Sequence, residues 1–131
     1  MRAVLDTSVL IAGGLAELPE DLAISAVSLA EIHFGVLVAR SDEERAARLR
    51  LLTGLERTFD ALPVDDAVAA SYGELAAAVV RAGHRPRLRS GDLLIAATAH
   101  AHDARLYTRN PDDLRGIEHL TEIVTPPALD R

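Results

Sequence analysis

At 131 residues the chain is long enough to bury one hydrophobic core and short for two ordinary domains. Apolar residues make up 49% of it, which excludes a disordered chain, and the lack of cysteine excludes disulfides, thiolate metal sites and a thiol nucleophile. The net charge of −6 excludes a broad electrostatic grip on nucleic acid, but not an enzyme whose acids are gathered at a metal site.

No apolar run approaches the ~20 residues of a membrane span. The N-terminus enters a strand directly, with no hydrophobic segment followed by a cleavage site, so a cytoplasmic protein is expected. The basic residues are all Arg. Arginine forks suit phosphate, although genome composition accounts for the bias as well.

In chain order, Ala3-Val4-Leu5 reads as a short buried strand that stops at Asp6. Thr7 or Ser8 is suited to cap a helix there. Asp6 is thereby expected at the carboxyl end of a strand, where open α/β sheets form their ligand crevice. Residues 18–21 form a loop and residues 22–26 a second strand. Ser28-Leu29-Ala30-Glu31 opens a helix to about residue 39, and Ser28-x-x-Glu31 has the form of a capping box. Ser41-Asp42-Glu43-Glu44 begins another helix, whose acidic start suits the helix dipole.

Residues 59–64 are extended. Asp65 caps a long Ala-rich helix that ends near Gly83. Residues 84–89 form a basic loop in which Arg85, Arg87 and Arg89 are suited to phosphates or simply to solvent. Ser90-Gly91-Asp92-Leu93 opens an almost wholly apolar helix to about residue 102, which must be buried. Residues 105–108 are a strand, Asn110-Pro111-Asp112-Asp113 a turn into a short helix, and residues 117–124 a last strand or two. Pro126-Pro127 ends the fold. Strands alternating with helices predict an α/β domain with a mainly parallel sheet.

Asp6, Glu31, Asp92 and the 110–113 cluster all fall at element boundaries. Each has an ordinary role, as a cap or as dipole compensation. Together they would lie along one sheet edge. Converging carboxylates repel, so one takes up a proton unless a cation intervenes. A hard cation such as Mg²⁺ accepts a few carboxylates, keeps several waters and promotes phosphodiester hydrolysis. Gly-x-Ser-x-Gly and the phosphate-binding Gly-x-x-x-x-Gly-Lys are both absent from the sequence. A phosphatase of the haloacid dehalogenase type would need Asp-x-Asp, and Ser8 stands at its second position. His33, His84, His100, His102 and His119 read as surface or partner-facing. His100 and His102, two apart on a helix, face different sides and are poor joint ligands.

The stretches Val4-Leu5-Asp6-Thr7-Ser8, Ser28-Leu29-Ala30-Glu31-Ile32, Asp92-Leu93-Leu94-Ile95-Ala96-Ala97-Thr98-Ala99 and Leu106-Tyr107-Thr108-Arg109-Asn110-Pro111-Asp112-Asp113-Leu114 resemble the PIN-domain ribonucleases. The short length and the last two motifs resemble the VapC toxins of toxin–antitoxin pairs. The resemblance runs from about residue 3 to about residue 114. It implies a PIN-like three-layer fold and an Mg²⁺- or Mn²⁺-dependent endoribonuclease. Asp6 and Asp92 would bind metal, with Glu31 as third acid. The wider family often has Asp where Asn110 stands, so Asp112 or Asp113 would serve as fourth acid, Asp112 being preferred. Thr7 and Ser8 would hold Asp6 or the metal waters, and Thr108 would orient a phosphate or water. A VapB-like antitoxin and a second copy of the chain are the implied partners. In the family, the region of Phe34, Leu37 and Val38 forms a groove for the antitoxin's tail. The competing reading is a non-catalytic RNA- or protein-binding module on the same scaffold, which Asn110 favours.

Overall fold

A computed structural model describes residues 2–18 and 21–127. Four short parallel strands make one sheet in the order β2-β1-β3-β4, with β1 Arg2–Leu5, β2 Asp21–Ile24, β3 Arg105–Tyr107 and β4 Ile123–Val124. The register aligns Leu5 with Ile24 on one side and with Tyr107 on the other. Three strands thus end level, and the residues that follow them, Asp6, Ser25 and Thr108, share one edge of the sheet. The chain leaves β1 toward β2 and later crosses back to β3, so β1 lies at the switch in strand order, where such sheets open a crevice.

Side chains alternate across the strands and build two cores. Val4, Ala23 and Leu106 face one way, against α4 (Asp66–Arg81) and α5 (Ser90–Ala101). Ala3, Leu5, Ile24 and Tyr107 face the other way, against α1 (Thr7–Ala12), α2 (Ala26–Leu37) and α3 (Asp42–Thr58). This is the expected three-layer arrangement, and it explains why β1 is apolar at consecutive positions: a parallel sheet is covered on both faces. α5 is the central wedge. Leu93, Ile95, Ala96, Ala97, Thr98 and Ala99 are all buried, and the one hydroxyl among them donates to Leu94 O at 2.9 Å, so its burial leaves no donor unmet. Among the described residues, no helix is long and apolar enough to cross a membrane.

Several boundaries differ from the sequence reading. β2 starts at Asp21 and ends at Ile24, and α2 begins at Ala26 under Ser25, whose hydroxyl accepts from Val27 N at 3.0 Å. Ser28 is therefore a buried first-turn residue rather than a cap, and the expected Ser28–Glu31 capping box does not form. Residues 59–64 contribute a single bridge, Ser25 to Leu62. Of residues 117–124, only Ile123–Val124 pair as a strand. The loop expected at residues 18–21 falls partly at 19–20, outside the described residues. His100 is not a free surface group: its Nδ1 lies 2.8 Å from Ser71 Oγ and its Nε2 3.7 Å from Glu74, which ties α5 to α4.

Candidate active site

Asp6 follows β1 directly, and its N–H extends the ladder by donating to Tyr107 O at 2.9 Å. Asp6 itself, not Thr7 or Ser8, caps α1: its Oδ2 accepts from Ser8 N at 3.1 Å. The same oxygen accepts from Ser8 Oγ at 2.6 Å and Thr108 Oγ1 at 3.3 Å. Each of those hydroxyls also accepts a backbone N–H, Ser8 from Arg109 and Thr108 from Asn110, both at 3.1 Å. With lone pairs so engaged, each hydroxyl is turned to give its single proton to Asp6. Asp6 is only 5% exposed, and the side-chain hydrogen bonds it makes among the described residues all fall on Oδ2.

Glu31, freed from capping, sits on the second turn of α2. Thr7 Oγ1 donates to Glu31 Oε1 at 2.6 Å and lies 3.0 Å from Ser28 Oγ. A Cβ placed on Gly91 would stand 3.3 Å from Glu31 Oε2. This carboxylate therefore reaches across to the first turn of α5, next to Asp92. Glycine at 91 leaves it room.

Asp92 feels the charges of the other acids. Burial, and then the charges of Asp6, Glu31 and Asp113, push its carboxyl from the ordinary 3.8 up to about 6, with Arg89 acting in the opposite sense. A carboxylate cluster that shifts a proton affinity this far is one that a cation would relieve. Among the described residues, no group of three acids or histidines stands close enough together to hold a metal ion as the side chains are placed. The arrangement is an open acidic pocket, which suits a hard cation that takes few protein ligands and keeps its waters.

The two candidates for a fourth acid are placed differently. Asp112 has a side chain 83% exposed and pairs with Arg115 at 3.2 Å, while Asp113, one residue on, acts on Asp92 and pairs with Arg89 at 3.3 Å. The cause is the 3₁₀ turn Pro111–Leu114: with three residues per turn, neighbours point about 120° apart, so only one of two adjacent acids faces the site. Asn110 is exposed, and its described hydrogen bonds are made by its backbone: its N–H donates to Thr108 Oγ1 and its carbonyl accepts from Asp113 N–H, both at 3.1 Å.

Beside Thr7 and Glu31 opens an apolar groove of about 520 Å³, lined by Ile11, Phe34, Val38 and Leu51 among others. Phe34 is 65% and Leu37 79% exposed, so both exceed what the core uses.

Fold and site define a three-layer α/β domain with an acidic pocket across the carboxyl edge of a parallel sheet. The PIN domain family model matches residues 3–120, and the chain belongs to the PIN-domain family, in its VapC branch. It is 42% identical over 100 residues to ribonuclease VapC8 of Mycobacterium tuberculosis, covering 73% of this chain and 88% of that protein. Ribonuclease VapC5 of the same organism is 36% identical over 115 residues, 83% of each chain. The crystal structure of VapBC-5, a member of the VapBC family of toxin–antitoxin systems from Mycobacterium tuberculosis, superposes with a TM-score of 0.83 at 35% identity, over 95% of this chain and 98% of that one.

Proposed function

We propose that the chain is a divalent-metal-dependent endoribonuclease toxin, neutralised by a VapB-like antitoxin. The observation that carries the reading is that Asp6 caps α1 at the end of β1 while Glu31 Oε2 reaches the Gly91 backbone next to Asp92, whose carboxyl is pushed up to about 6 by burial and by these acids. In this reading Asp6, together with Asp92 and Glu31, holds Mg²⁺ or Mn²⁺. The bound cation supplies a polarised phosphoryl oxygen and a more acidic water. Ser8 and Thr108 hold Asp6 in place, and Thr7 does the same for Glu31. Asp113 takes the fourth position that the sequence reading gave to Asp112, so Asn110 is no obstacle to catalysis. The family relatives named ribonuclease support RNA as substrate.

The VapBC neighbour supports an antitoxin as partner. The groove at Phe34 and Val38 is suited to an apolar helical segment, and it ends against Thr7 and Glu31. A segment lying there would cover the acids, so binding and inhibition would be one event. A second copy of the chain is the other partner in this reading.

The test is cleavage of a labelled RNA by the purified protein freed of its partner. Internal cleavage with Mg²⁺ or Mn²⁺, stopped by EDTA and lost in Asp6→Asn, is expected. Equal cleavage in EDTA would overturn the metal, and no cleavage of any RNA pool would overturn the nuclease.

A further inference from the structure

A second cleft of about 210 Å³ lies on the α4–α5 side of the acids. Val79, Pro86 and Leu93 form its apolar wall, and its polar rim sets three arginines, Arg85, Arg89 and Arg115, and His84 against Asp112 and Asp113. It shares a boundary with the acid pocket: Leu93 follows Asp92 in sequence, and Asp113 belongs to both. The 3₁₀ turn Pro86–Arg89 explains the selection of side chains. Its period of three sets Pro86 and Arg89 on one side and turns Arg87 away.

The charges are unequal. Asp113 is matched by Arg89 at 3.3 Å and Asp112 by Arg115 at 3.2 Å. Arg85 has no ion-pair partner among the described residues, so the cleft is positive in a chain of net charge −6. The Asp112–Arg115 pair is exposed, and exposed pairs are weak, so Arg115 is readily taken over by a stronger anion. A guanidinium matches phosphate in a two-pronged contact. The cleft is smaller than the roughly 300–1,000 Å³ of a site for a free drug-sized ligand. That size suits one unit of a longer strand.

We propose that this cleft is a subsite for a nucleotide flanking the scissile bond, with Arg85 and Arg115 on its phosphate and Val79, Pro86 and Leu93 against its sugar and base. The proposal rests on the endoribonuclease reading of the acids. It gives an acidic protein a local grip on a polyanion, on the side of the acids away from the Phe34 groove.

The experiment measures binding of a fluorescein-labelled 12-nucleotide single-stranded RNA by anisotropy, in EDTA, across a salt series. Arg85→Gln/Arg115→Gln is compared with wild type and with Arg57→Gln, an exposed arginine on α3. The double variant should bind about tenfold more weakly at low salt, and its log–log salt slope should be shallower by about 0.7 for the phosphate released. Its thermal midpoint should match wild type, and Arg57→Gln should bind as wild type does. An unchanged slope and affinity in the double variant, or an equal loss in Arg57→Gln, would overturn the subsite while leaving the nuclease intact. Failure of wild type to cleave RNA with either metal is the separate result that would remove the nuclease reading itself.

Discussion

The Thr7 hydroxyl stands 2.6 Å from the Glu31 carboxylate and joins the first turn of α1 to the second turn of α2. A carboxylate on a helix surface samples several rotamers, and this bond holds one of them toward Asp92. Thr7→Val keeps the shape and removes the donor. It should lower kcat/KM for RNA by about 10–100-fold, the usual cost of losing a group that orients a metal ligand. Thr7→Ser should restore most of the activity. Steady-state kinetics on all three proteins, with thermal midpoints alongside, separates this positioning role from a loss of fold.

The raised Asp92 carboxyl makes stability pH-dependent. Its folded-state value of about 6 lies above the ordinary 3.8, so the folded chain binds the proton more tightly than the unfolded one. The protonated form's contribution is complete below about pH 4 and is lost as the pH rises through 6. In EDTA, the calorimetric midpoint should therefore contain a fall over that window that Asp92→Asn lacks. Mn²⁺ should raise the midpoint more at pH 7 than at pH 5, because a cation competes with the proton for the same oxygens. A midpoint gain that is equal at both pH values would count against the cation sitting at Asp92.

Phe34 separates inhibition from catalysis. At 65% exposure it supports little of the core, so Phe34→Asp should change stability by no more than about 0.5 kcal/mol. A buried aromatic anchor at an interface is typically worth about 2 kcal/mol or more, so affinity for the antitoxin should fall at least about thirtyfold. RNA cleavage by the free variant should persist. Calorimetric titration with the antitoxin and a cleavage assay on the same preparation check both halves.

The layers were legible because apolar periodicity and burial agree: Ala3-Val4-Leu5 and residues 93–99 have no polar face to show solvent. Asp6 and Asp92 were legible as candidates because both stand at element boundaries. What the sequence hid was local choice between equivalent residues. Ser25 and Ser28 both suit an N-cap, and only the pairing of β2 up to Ile24 decides for Ser25. That three-residue difference turns Glu31 from a capping residue into a site residue. Asp112 and Asp113 are likewise equivalent in pattern, and the phase of a 3₁₀ turn gives them different partners, Arg115 and Arg89. His100 was misread because its partner Ser71 lies on another helix, 29 residues away.

Titration of Mn²⁺ into the metal-free protein tests the central claim most directly, because it reads the acids without substrate or partner. The account predicts saturable binding at pH 7 that is abolished in Asp92→Asn and in Asp6→Asn, with circular dichroism unchanged in both, since Asn caps α1 as well as Asp does. Binding of equal strength in wild type and both variants, or none in wild type, would contradict it.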